Sequence, residues 1–185
     1  MNITAKKGDN GFTDHVRKDD SRIECLGTLD ELDAFLSLCE IMLKSEGNAA
    51  FADITKEARE VLFTVIMPVF VRSFLSDKNE LPGETKKNAL NTARLDHYIT
   101  ELEKENPARG FVRTWTKPAA AYLNTARTIC RRCERRMVAV AAINTPEIDN
   151  ASKTNKAALL SWINRLSDLL FLLALAEEQW YSKIS

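Results

Sequence analysis

Five arginines, Arg127, Arg131, Arg132, Arg135 and Arg136, fall within ten positions of a stretch that has the apolar period of a helix. A four-residue step turns a helix by only about 40°, so Arg127, Arg131 and Arg135 form one basic ridge, and Arg132 and Arg136 widen it. Glu134 follows Arg131 by three positions and projects from the same side, where it can pair with an arginine or meet a metal ion carried by a phosphate ligand. Guanidinium groups stay charged and grip oxygens in pairs, which suits polyphosphate. A solvated or intersubunit salt-bridge face is the alternative use of such a ridge, because charge runs on helices are usually solvated.

Further along, Asn164, Arg165, Ser167 and Asp168 interrupt an apolar sequence, with Asn164 and Asp168 one helical turn apart. Two readings stand: a hydrogen-bonded buried network, or a site in which Asn164 touches a ligand while Asp168 orients an arginine. Near the start, Gly8, Asp9 and Gly11 precede Lys18, so backbone amides and a lysine could surround phosphates. The loop lacks the Gly-Lys-Ser/Thr ending of a P-loop and follows no clear strand, so P-loop and Rossmann readings fit poorly and an ordinary flexible terminus is the alternative. Cys130 and Cys133 form a CxxC inside a helical pattern, but zinc needs two more ligands. With Cys25 and Cys39 they read as small buried apolar side chains. Neither His15 nor His97 belongs to the Glu-x-x-His pair of a di-iron bundle.

The elements that must position these groups are helical. An irregular arm is expected over residues 1–22, followed by a helix starting at Thr28, where Thr28 and Glu31 have capping-box spacing. Leu29, Leu32, Leu36, Cys39 and Leu43 continue its stripe, and Gly47-Asn48 ends it. A second helix is expected from Phe51 to Leu75, kinked at Pro68, then a linker over 76–91 containing Pro82-Gly83, and a third helix from Ala93 to Lys104 closed by Asn106-Pro107. A fourth begins near Pro118, with Tyr122, Ala126, Ile129, Cys133, Met137 and Val140 as its buried stripe. After a loop over 144–155, a fifth runs from Lys156 to Trp180. The reading is a single all-α domain over 1–185, a ferritin-like up-and-down five-helix bundle covering about 23–182.

Composition agrees. Twenty-six basic and 26 acidic residues among 185 cancel, so no global field favours nucleic acid or an acidic membrane. Apolar residues at 45% and charged residues at 28% exclude wholesale disorder. Six Gly and five Pro are about half the usual share, which disfavours a turn-rich β fold. The longest apolar stretch, Val61–Leu75, is shorter than a membrane span and contains Arg72. The first residues lack the n- and h-regions of a secretory signal, so a cytoplasmic location with reduced thiols is expected.

Three segments together resemble the propanediol-utilisation type of ATP:cob(I)alamin adenosyltransferase, across residues 3 to about 179. The family's GTxDEL stands as Gly27-Thr28-Leu29-Asp30-Glu31-Leu32, preceded by Lys18-Asp19-Asp20. Its ARTxxRRxER stands as Ala126-Arg127-Thr128, Arg131-Arg132 and Glu134-Arg135, and its NRLSDxLF as Asn164 through Phe171. The resemblance implies a trimeric five-helix bundle with sites between subunits. The reaction it implies is transfer of the 5′-deoxyadenosyl group of ATP to the cobalt of cob(I)alamin, releasing triphosphate.

By the same resemblance, Lys18, Arg131, Glu134, Arg135 and Asn164 contact ATP or its Mg²⁺, with Arg131 central to catalysis and Gly8-Asp9 wrapping the phosphates. Asp30 and Arg127 correspond to an intersubunit ion pair, and Phe111 to the aromatic beneath the corrin. Cob(I)alamin is itself the nucleophile, so such a protein needs alignment and charge stabilisation rather than a Ser/His/Asp triad. The chain departs from the family's pattern after Phe111, where Val112-Arg113-Thr114-Trp115-Thr116 replaces an aliphatic residue followed by Pro-Gly-Gly. An active adenosyltransferase, a non-catalytic nucleotide- or corrinoid-binding relative, and a purely structural bundle are the three functions compatible with these features.

Overall fold

The computed structural model describes residues 9–13, 16–75, 90–105, 114–142 and 150–182, the side chains of 150–154 and 180–182 excepted. Most of the expected linker over 76–91, the Asn106-Pro107 stop, Gly8, Phe111 and residues 144–149 lie outside these. The arm contains a short antiparallel ladder, β1 (Phe12–Thr13) on β2 (Val16–Arg17), pairing Phe12 with Arg17 and Thr13 with Val16. The Lys18 amide donates to the Gly11 carbonyl at 2.9 Å, and Gly11 sits at φ +82°, a backbone region that favours glycine.

Helix α1 (Ser21–Ser45) begins two turns before the expected Thr28. Asp20 is the cap, its carboxylate accepting from the Arg22 amide at 2.8 Å and gripping the Arg22 guanidinium. That guanidinium holds the Asp20 carboxyl down to about 2. Thr28 is interior and donates to the Glu24 carbonyl at 2.8 Å; an i,i+3 pair of Thr and Glu is a capping-box spacing but also an ordinary helix-surface spacing. The helix stops as expected at Gly47, φ +84°, and Asn48 then caps α2 (Ala49–Val61) by accepting from the Phe51 amide at 3.1 Å.

From α2 the chain continues without a break through a π turn (Leu62–Ile66) into α3 (Met67–Phe74). Pro68 explains the widened turn: it has no N–H to give to the Thr64 carbonyl, and its ring would collide there, so the ladder lengthens immediately before it. Helices α4 (Ala93–Glu105) and α5 (Pro118–Ala142) fall close to expectation. Helix α6 (Asn150–Ser182) starts inside the expected loop, because residues 150–155 are polar apart from Ala151 and carry no apolar stripe to announce a helix. With α2 and α3 counted as one rod, five rods form the all-α bundle.

The most extensive packing is α5 against α6 and against α1. Contacts between Arg136 and Glu24 and between Arg132 and Glu31 run in opposite directions along the two helices, so α1 and α5 are antiparallel. Cys130 with Ile163, Asn164 with Glu134 and Thr116 with Glu178 make α5 and α6 antiparallel as well. Small residues on α5, Ala119, Ala120, Ala126, Cys130 and Cys133, are all fully buried and let both neighbours approach closely. Around them lie the α1 leucines, Leu123 and the α6 run from Leu159 to Ala176, with Trp162 the largest side chain. Each fully buried leucine contributes roughly 1.5–3 kcal/mol. Tyr122 is at the rim, against Phe35, and Leu123 takes the core position instead. The stretch Asn155–Gln179 is long and apolar enough to cross a membrane by composition, exceeding Val61–Leu75, yet most of it is buried as the central core helix.

Candidate active site

The arginines of α5 divide into two sets. Arg132 reaches α1 and pairs with Glu31. Arg136 pairs with Glu24 at 2.5 Å and donates to the Thr28 hydroxyl. Thr28 and Glu31, read in sequence as a cap, are therefore the α1 half of a clasp on α5. Arg131 and Arg135 face away from it. Both are exposed, and neither makes an ion pair or hydrogen bond among the described residues.

Between them lies Glu134, half-buried, whose Oε1 accepts from the Asn164 side-chain amide of α6 at 3.0 Å. Asn164 thus fixes one carboxylate oxygen, and the other makes no hydrogen bond or ion pair among the described residues. Asp168, one turn on, does orient an arginine: Arg165 donates to it at 3.2 Å and to Asp96 of α4 at 2.9 Å. The patch is thus a hydrogen-bonded network, half-buried at Asn164 and Glu134 and largely solvent-facing at Arg165, Asp168 and Asp96.

The other residues singled out in sequence are more dispersed. Arg127 donates to Asn124 at 3.0 Å and lies over the Phe171 ring at 5.6 Å. Asp30 is exposed on α1, beside a hollow lined by Leu26, Phe63, Met67 and Arg72. Within one chain the two form no ion pair. Asp9 and Lys18 are exposed at the two ends of the β hairpin. Gly8 and Phe111 lie outside the described residues. The four cysteines are buried and free. Cys130 donates to the Ile163 carbonyl, and its thiol is pushed up by burial. Cys133 is raised by its hydrogen bond with Cys25 and by burial, while burial lifts Cys39 to about 12.

Among the described residues no three His, Cys, Asp or Glu side chains converge as a metal cage. A single open carboxylate oxygen on Glu134 nevertheless fits Mg²⁺, which commonly takes one or two protein carboxylates and draws its remaining oxygens from phosphates and water.

Sequence reading missed Glu178 of α6. Its carboxylate accepts from the amides of Thr116, at 3.0 and 3.1 Å, and Lys117, at 3.2 Å, and from the Thr116 hydroxyl. It therefore holds the N-terminus of α5 and the strand of chain that leads in from Phe111, while Trp115 packs against the core. No local periodicity could announce a contact 62 residues apart.

The fold and the divided ridge can be set beside known proteins. The model of the cobalamin adenosyltransferase family matches residues 3–177. The corrinoid adenosyltransferase PduO of Citrobacter freundii is 33% identical over 187 residues, covering 96% of this chain and 50% of that protein; the Salmonella typhimurium PduO gives 31% with the same coverages. The chain thus spans about half the length of these curated relatives. A second Citrobacter freundii corrinoid adenosyltransferase is 31% identical, with 95% of this chain and 94% of the relative covered. Among solved structures, a variant of a PduO-type ATP:co(I)rrinoid adenosyltransferase from Lactobacillus reuteri, complexed with ATP, superposes with a TM-score of 0.79 at 24% identity, covering 97% of this chain and 96% of that one. Another variant of the Lactobacillus reuteri enzyme, complexed with cobalamin and ATP, gives 0.78 at 23%. With nearly its whole length matched in sequence and the same bundle in space, the chain belongs to the cobalamin adenosyltransferase family.

Proposed function

We propose that this protein transfers the 5′-deoxyadenosyl group of ATP to the cobalt of a reduced corrinoid such as cob(I)alamin, with release of triphosphate. The observation that carries the reading is the pair of exposed arginines, Arg131 and Arg135, flanking a Glu134 carboxylate that Asn164 holds in place at 3.0 Å. The names of the relatives and the ATP and cobalamin bound by the Lactobacillus reuteri structures support it.

In this reading Arg131 and Arg135 grip the phosphate chain and stabilise the charge that develops on the leaving triphosphate. Glu134, oriented by Asn164, receives the Mg²⁺ that accompanies ATP; that ion supplies further neutralisation of phosphate charge. Asp9 and Lys18 close over the phosphates from the arm, with Gly8, and Phe111 lies beneath the corrin. The corrinoid cobalt attacks the ribose C5′ as the C5′–oxygen bond breaks, so the protein's task is alignment.

Asp30 and Arg127, unpaired with each other inside one chain, meet across subunits of a homotrimer in this proposal. A cytoplasmic location fits four free, buried thiols. The test is direct: anaerobically reduced cobalamin and MgATP are mixed with the full chain, and the absorbance of a new cobalt–carbon bond is followed together with triphosphate. Turnover is expected. Saturable ATP binding without product would replace the enzyme by a carrier, and neither binding nor product would leave a structural bundle.

A further inference from the structure

The end of the bundle around the start of α5 holds two carboxyl groups that the proposed chemistry does not use. Glu177 of α6 is fully buried. One of its oxygens accepts from the Asn48 side-chain amide at 2.7 Å, and the other, Oε1, has no partner. Glu46, at the end of α1, accepts from the Ala119 amide with Oε1 at 3.1 Å, and its Oε2 is likewise buried and unpartnered. The two orphan oxygens belong to the same end of the bundle: Asn48, two residues after Glu46, bonds Glu177, and Ala119, bonded by Glu46, lies two residues after Lys117, which Glu178 bonds. Two buried carboxylates in contact repel strongly, whereas a carboxylic acid beside a carboxylate completes both orphan oxygens with one hydrogen bond.

We propose that Glu46 and Glu177 share a single proton, and that this proton latches the N-terminus of α5 to the ends of α1 and α6. The surroundings fit a net single charge. Asn48, which also caps α2, donates to Glu177 from the α2 side; Lys117, just before α5, is the nearby cation; Glu178 adds a further negative charge but is occupied by Thr116 and Lys117. Burial first, and then the Glu46 charge, hold the Glu177 carboxyl above its usual range, against the opposing Asn48 hydrogen bond and the Lys117 charge.

The folded value lies above the unfolded one. The stabilisation by the latch is therefore complete below the ordinary carboxyl range and is lost as pH rises through the raised value. Deprotonation leaves two buried negative charges where Ala119, Thr116 and Lys117 must be held, at the end of the helix that carries Arg131 and Glu134.

Denaturant unfolding of the full chain from pH 5 to pH 9, wild type against Glu177→Gln, tests the latch. A glutamine keeps the Asn48 bond through its oxygen and donates to Glu46 through its nitrogen, so it imitates the protonated pair. Within the window between ordinary and raised values, the wild-type unfolding constant is expected to rise up to about tenfold more per pH unit than that of the variant. At pH 9 the variant is expected to be the more stable protein. Parallel pH profiles, or a variant weaker than wild type at pH 9, would overturn the proposal. Should Glu177→Gln fail to fold, ¹³C NMR titration of the wild-type carboxyls decides alone: a raised Glu177 transition supports the latch, and one in the ordinary range refutes it.

Discussion

Arg131 and Arg132 are neighbours in sequence on one helix, and Arg135 and Arg136 repeat the pair one turn later. One member of each pair is bound to α1 through Glu31 or through Glu24 and Thr28. The other member is exposed beside the Glu134–Asn164 bond. Because an adjacent residue is rotated by about 100° on a helix, a single run of arginines serves two faces, one fastening α5 to the bundle and one left exposed. The difference teaches that side-chain type does not assign a role here; the neighbouring helix does.

Substitution at Arg131 is the severest test of that division. In the proposed reaction Arg131→Ala removes a donor to the developing phosphate charge, a change that typically costs about 10²–10³ in rate. Turnover of reduced cobalamin with MgATP is expected to fall by about that factor while the melting temperature stays close to wild type, because the side chain holds nothing else in the fold. A melting temperature that drops with activity would place Arg131 among the fastening residues and break the comparison.

Asn164 sharpens it at an intermediate scale. Asn164→Ala frees Glu134 to swing toward Arg131 and Arg135 and neutralise them. The hydrogen bond to a carboxylate is in the class of roughly 1.5–3 kcal/mol, so ATP affinity measured calorimetrically with Mg²⁺ is expected to fall by about tenfold or somewhat more. Unchanged ATP affinity would mean that the Glu134–Asn164 bond only ties α5 to α6.

How much of this division could be read from the sequence depends on the range of the contacts. The bundle was legible, because the stripes on α1, α5 and α6 repeat every three or four residues and the buried leucines follow them. The ridge itself was legible, since Arg127, Arg131 and Arg135 are set by spacing alone. The partition of its flanks was not. Thr28 and Glu31 fit a capping box as well as a helix surface, and only the turn built by Asp20 upstream shows which applies. The first turn of α6 was hidden by its polarity, and the clasps made by Glu46, Glu177 and Glu178 join residues far apart in the chain. Periodicity reports faces; it cannot report which face meets which.

Arg136 offers the gentlest test, on the fastening side. Its pair with Glu24 is at 2.5 Å, but the side chains are 34% and 58% exposed, so solvent screens the attraction and a pair of this kind is worth only about 0.2–1 kcal/mol. Arg136→Ala is therefore expected to lower stability by that amount, with the loss shrinking as salt is raised, and to leave turnover within a few-fold of wild type. The double variant with Glu24→Ala closes the cycle: the coupling energy should account for most of the single-variant loss, with the Thr28 contact as the remainder. If Arg136→Ala instead abolished turnover at unchanged stability, the basic arc of α5 would be one continuous ligand surface, and its contacts with α1 would be a resting position that ATP displaces.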